Sequence, residues 1–158
     1  MPDGVATVRE PGWVLRGVLA ALGLVQLANG AWATLAPRSF YTGFPFGRGW
    51  VEALPAYNEH LMRDVGALFL AIGFVLAAAA WLGGRRLAAV ALLSYLLFSV
   101  PHAAYHLAHL DVYGGADAAA NVVALALTVL VPVGALWVLA RGGRRQGIKR
   151  GPQEERTG

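Results

Sequence analysis

Four long apolar runs divide the chain, separated by short segments that hold most of its charge. They cover residues 13–36, 57–82, 87–110 and 117–140. Each is long enough for one helical crossing of a ~30 Å hydrocarbon core, which takes about 20 residues. Pro37 stops the first run, because proline lacks the N–H and biases its predecessor away from helical angles. Gly83-Gly84-Arg85-Arg86 reads as a tight turn between the second and third runs. The pattern predicts an all-α, integral membrane four-helix bundle. A polar tail at 1–12 precedes it, and a basic tail at 141–158, expected to be disordered, follows. The first run also admits a signal-peptide reading with Ala31-Trp32-Ala33 as its small-x-small site, although it is longer than the usual h-region.

Within these runs the departures from apolarity are few. Gly66 and Gly73 recur seven apart in the second, with Ala67 and Ala71 nearby, and such small residues let helices approach closely. Pro132 predicts a kink in the fourth, and Asp117 suits its first turn. The 37–56 connection is rich in aromatics (Phe40, Tyr41, Phe44, Phe46 and Trp50), which suits a segment folded over the bundle at the membrane interface.

Composition strengthens the membrane reading. Hydrophobic residues make up 57% of the 158 and charged residues only 14%, against about 25% charged in an average soluble domain. A soluble fold this small could not bury so much apolar surface. The absence of Cys removes disulfides and thiolate metal sites. The formal net charge of +4 flanks apolar runs and lacks interleaved aromatics, which argues for membrane topology and against nucleic-acid binding. With four spans, Arg9, Arg16, Arg85, Arg86, Arg141, Arg144, Arg145, Lys149 and Arg150 fall on one side. The positive-inside rule then puts both termini in the cytoplasm of a multi-pass protein of a bacterial plasma membrane. The expected surroundings are the lipid bilayer, with a second copy or another membrane protein as candidate partner.

The candidate chemistry is a polar stripe on the third run. At ~100° per residue, His106 and His109 fall within about 40° of His102, and the stripe continues back through Ser99 to Tyr95. It should face the bundle interior, since polar groups are costly against lipid. Pro101, inside this run, frees the carbonyl of Leu97 and is expected to open space beside the histidines. At ~1.5 Å per residue, His102, Asp64 and Asn29 lie roughly 10–12 Å from the same end of their helices, with His60, His106 and Asn121 shallower. These groups converge on the outer half of the bundle.

Three readings of that convergence stand side by side. In one, His60, Asp64, His102 and His106 ligate a divalent transition metal, with haem between facing histidines as a variant. In the second, the groups carry proton or redox chemistry around a quinone or another lipophilic substrate. In the third, they form a hydrogen-bonded network that fixes helix register in a non-catalytic scaffold. The supporting polar residues are Asn29, Glu59, Arg63, Tyr95, Ser99, His109 and Asn121, with Arg63 and Asp64 able to neutralise one another.

Several short motifs carry a resemblance: Leu15-Arg16-Gly17, Asn29-Gly30-Ala31-Trp32, Arg63-Asp64-Val65-Gly66-Ala67-Leu68, Tyr57-Asn58-Glu59-His60 and Pro101-His102-Ala103-Ala104-Tyr105-His106. Together, over about residues 13–140, the chain resembles the DoxX-like superfamily of small four-helix membrane proteins, in an actinobacterial branch. The resemblance implies the same four-helix fold. It also implies an association with quinone-linked oxidoreductases or with membrane components tied to oxidative stress, and it brings no catalytic residues with it.

Overall fold

The computed structural model describes residues 12–54 and 56–149, with side chains described through Gly142. The expected tail at 1–12 lies almost wholly outside the described residues, as does 150–158. Among the described residues the α-helices are α1 (Trp13–Leu35), α2 (Pro37–Gly43), α3 (Glu59–Leu82), α4 (Arg85–Ala108) and α5 (Gly115–Lys149), with a single 3-10 turn at Leu110–Val112. Four of them, α1, α3, α4 and α5, are long and apolar enough to cross a membrane. Large apolar side chains such as Phe74, Leu97 and Leu130 point outward, so the bundle presents hydrocarbon where a soluble protein presents charge. The fold is an all-α multi-pass bundle.

The closest packing is between α1 and α3. Two glycine pairs in antiparallel register hold it: Gly30 opposite Gly66, and Gly23 opposite Gly73 two turns away. A Cβ on Gly30 would stand 2.8 Å from the Gly66 carbonyl oxygen and 2.8 Å from the Leu70 nitrogen. A Cβ on Gly66 would stand 2.7 Å from the Thr34 nitrogen, and one on Gly73 2.9 Å from that of Leu27. Backbone thus lies directly on backbone, which only glycine permits. A core of Leu19, Leu76, Leu92, Tyr95 and Leu139 fills the opposite half of the bundle.

Helix ends follow local chemistry. The Asn58 side chain accepts from the Leu61 N–H at 3.1 Å, so α3 starts at Glu59 rather than at Tyr57. Gly83 and Gly84, at φ 75° and 88°, reverse the chain into α4, which begins at Arg85. Arg16 Nε and Nη2 donate to the carbonyls of Ala80 and Trp81 at 2.8 Å each, serving the orphan acceptors at the end of α3. Arg85 donates to the Leu139 carbonyl within α5. We call this the arginine end and the other the histidine end.

Two expectations change. Pro37 does end α1, but it also occupies the first position of α2, where its missing N–H costs nothing. The 37–56 connection is therefore part helix. Residues 141–149, expected in the disordered tail, continue α5 instead. Nothing in the backbone pattern breaks that helix after Ala140, and its glycines lower helix propensity without forbidding it.

Gly30→Ala and Gly66→Ala should each destabilise the protein by about 1–3 kcal/mol through backbone overpacking. Gly17→Ala, where a Cβ meets nothing within 4 Å, should be neutral. Unfolding by denaturing detergent, followed by circular dichroism, reads both.

Candidate functional site

The polar stripe of α4 turns inward as its periodicity requires. Tyr95 and Ser99 are buried, at 4% and 2% exposure, and His102 and His106 are half-buried one and two turns further on. The His102 ring stacks on Phe98 with centroids 5.1 Å apart, and Phe98 meets Phe69 of α3 edge-on at 5.1 Å. The His102 and His106 rings lie 4.5 Å apart, the outcome of i, i+4 spacing on one helix.

The hydroxyl of Tyr113 joins this stripe to two other segments. It donates to the Trp50 carbonyl at 3.0 Å and lies 3.2 Å from His106 Nδ1. Its one proton is spent on Trp50, so His106 must donate through Nδ1–H. That fixes the tautomer and leaves Nε2 with its lone pair. Burial pushes the Tyr113 phenol above its ordinary range, partly offset by the neighbouring Asn121 amide, so it stays a proton donor at neutral pH.

The segment 44–54 closes the histidine end. Trp50 is buried, and its Nε1–H donates to Asp117 Oδ1 at 3.0 Å. Arg48 forms an ion pair with the same carboxylate. Asp117 lies in the first turn of α5, where the helix dipole favours an anion. The cap is thus pinned to α5 through Asp117 and to Tyr113 through the Trp50 carbonyl.

The residues of α3 do not join this assembly. His60 and Asp64 face each other, Nε2 to Oδ2 at 3.3 Å, but are 86% and 60% exposed. The physical reason is the glycine seam. Asp64 precedes Gly66 by two positions, about 200° round the helix, so holding Gly66 against α1 turns Asp64 outward. Among the described residues no three His, Asp or Glu side chains form a metal-holding group. The expected ligands therefore divide into an outward pair, His60 and Asp64, and an inward pair, His102 and His106. Arg63 does not neutralise Asp64. It pairs with Glu59 at 2.8 Å and donates to the Thr34 carbonyl, tying the start of α3 to the end of α1.

The supporting residues also sort by face. Asn121 is buried at 2% exposure, whereas Asn29 is only half-buried and Gln26, one turn deeper on α1, is the buried amide. His109 donates from Nδ1 to the Tyr105 carbonyl at 2.7 Å and stacks on the Tyr105 ring, closing the end of α4. The sequence reading did not single out Trp50, Tyr113, Arg48 or Gln26 for the site. The aromatic richness of 37–56 and the acid at Asp117 were the available signals, but their pairing is tertiary. Four buried atoms, Gln26 Nε2, Thr34 Oγ1, Ser99 Oγ and Asn121 Oδ1, have no hydrogen-bond partner among the described residues. They sit on three different helices in the histidine half, with Thr34 on the glycine seam against Gly66.

No protein-family model matches the chain, and no curated protein or solved structure is significantly similar to it.

Asp117→Asn should remove the Arg48 ion pair and loosen the cap slightly, as expected of a partly exposed pair. Hydrogen exchange over 44–54 should accelerate, with exchange in the α1–α3 seam unchanged.

Proposed function

We propose that this chain is a small multi-pass membrane protein whose working part is the His102–His106–Tyr113 site beneath the 44–54 cap. There the two imidazoles take a divalent transition metal as an exchangeable ligand. The observation that carries the reading is the fixed tautomer of His106. Its Nδ1–H is held by Tyr113, which leaves Nε2 with its lone pair, and the His102 ring centroid lies 4.5 Å from its own. Histidine ligands of metals are oriented in this way, with the second nitrogen engaged by a polar neighbour. Paired histidines at i, i+4 on a helix can share one ion. Two protein ligands leave coordination positions open to water or to a small substrate, which suits exchange better than permanent storage.

The test is metal content of the detergent-purified protein after loading with zinc or cobalt, beside His102→Ala, His106→Ala and Tyr113→Phe. Stoichiometric metal in the parent should be lost in both histidine variants and weakened about 10–100-fold in Tyr113→Phe. Retention should also fall as pH falls, because imidazole must be neutral to ligate. Unchanged metal content in the double histidine variant would sink the reading.

A second reading has its own support. Ser99 Oγ, one turn below His102, is buried and has no partner among the described residues, and the His102 ring lies against Phe98. A hydroxyl donor beside an aromatic platform suits a quinone head, in keeping with the DoxX-like sequence resemblance. Extracting the purified protein with organic solvent and recording the ultraviolet spectrum separates the two: a quinone band lost in Ser99→Ala favours this one.

The orientation we propose puts the arginine end in the cytoplasm of a bacterial plasma membrane. Arg16, Arg85, Arg86 and Arg141 gather there, whereas at the histidine end Arg48 and Arg63 are each matched by a carboxylate and Arg38 lies over the Tyr57 ring. The chain has no Cys, so single-cysteine variants report alone. A membrane-impermeant thiol reagent added to whole cells should label Phe46→Cys, at a position 98% exposed, and spare Arg86→Cys.

A further inference from the structure

At the arginine end, a cleft of about 350 Å³ runs between α1 and α5. These helices barely touch, so the seam between them is left unfilled. Leu15 and Val18 form one wall, Val131, Ala135 and Val138 the other, and Arg85 reaches in at the mouth. From Val131 to Gly142 the cleft follows α5 for roughly 16 Å at 1.5 Å per residue, about the depth of one leaflet of a ~30 Å core. Gly134 lies in the wall, and a Cβ added there would meet nothing within 4 Å. Gly142, by contrast, leaves room for the guanidinium: a Cβ there would stand 3.0 Å from Arg85 Nη1.

Arg85 gives the cleft its charge preference. It is part-buried, and it donates to the Leu139 carbonyl. Among the described residues no carboxylate pairs with it, since the acids that form ion pairs, Asp117, Asp64 and Glu59, all stand at the histidine end. A partly buried cation without a counter-charge is costly, and its remaining N–H groups suit two oxygens of a phosphate. We propose that this cleft binds an anionic phospholipid, with one acyl chain along Val131–Val138 and the phosphate on Arg85. The slot accepts any acyl chain, and the arginine selects the headgroup. Basic pockets between helices at a membrane surface recognise anionic lipids by the same chemistry.

The test is native mass spectrometry of the full chain released from detergent with added phosphatidylglycerol or phosphatidylcholine. The parent should retain phosphatidylglycerol about fivefold more than phosphatidylcholine, the preference one arginine supplies. Arg85→Gln should bring the two to parity. Gly134→Phe, whose ring enters open space, should lower retention of both lipids with thermal unfolding unchanged, and it carries the test alone should Arg85→Gln fail to fold. Equal retention of the two lipids by the parent, or full phosphatidylglycerol retention in Gly134→Phe, overturns the proposal. So does a dimer without lipid preference that dissociates in Gly134→Phe, which would assign the cleft to a second copy.

Discussion

The backbone-on-backbone approach of α1 and α3 is the constraint from which the rest of the arrangement follows. Between helices in lipid there is no hydrophobic gain to drive association, so close packing must supply it. Gly23, Gly30, Gly66 and Gly73 permit that packing and in doing so fix the rotation of α3 about its axis. Once Gly66 faces α1, Met62 and Phe69 turn inward with it, while His60 and Asp64 turn out. A requirement of packing therefore decides which titratable groups can meet in the interior. It leaves the histidines of α4 to find their partners on α4 itself and on Tyr113, in the turn before α5.

Those partners answer a second constraint, the satisfaction of polar groups in a medium that offers no water. The Tyr113 hydroxyl serves the Trp50 carbonyl and the His106 ring together. One phenol thus joins the cap to α4. Among the described residues, Ser99, Gln26, Thr34 and Asn121 keep unmatched atoms in the same half. Buried polar groups normally have partners, and the exceptions concentrate where a protein handles water, ions or ligands. This half of the bundle is held together by hydrogen bonds and carries latent capacity for more, whereas the other half is closed by leucines.

Much of the fold could be read from hydrophobic pattern alone, because helical length and apolarity are local properties of the chain. Boundaries moved where a specific group intervened, as with the Asn58 cap and the double role of Pro37, and at the end of α5, where nothing stops the helix. The α4 stripe was also legible, since its 3.6-residue period puts Tyr95, Ser99, His102 and His106 on one side whatever they pack against. Depth along a helix was the weaker guide. Asp64 and Asn29 lie at the right level but on the wrong side, because level follows from residue count whereas facing depends on the neighbouring helix. The seven-residue spacing of Gly66 and Gly73 held the needed signal. Its match in Gly23 and Gly30 fixes which face of α3 is inward. The Trp50–Asp117–Arg48 cluster joins residues about seventy positions apart, and no local pattern could have joined them.

The seams of the bundle are unequal. The tightest contact joins the first two membrane-spanning helices, and the next most extensive joins the last two. The bundle is thus two hairpins of unequal closeness. The first is complete within itself, because its glycine faces fill one another. The second carries the histidines and Asp117, whereas the cap that seals them, at 44–54, belongs to the first. The site exists only where the two hairpins meet, and neither of them holds it alone.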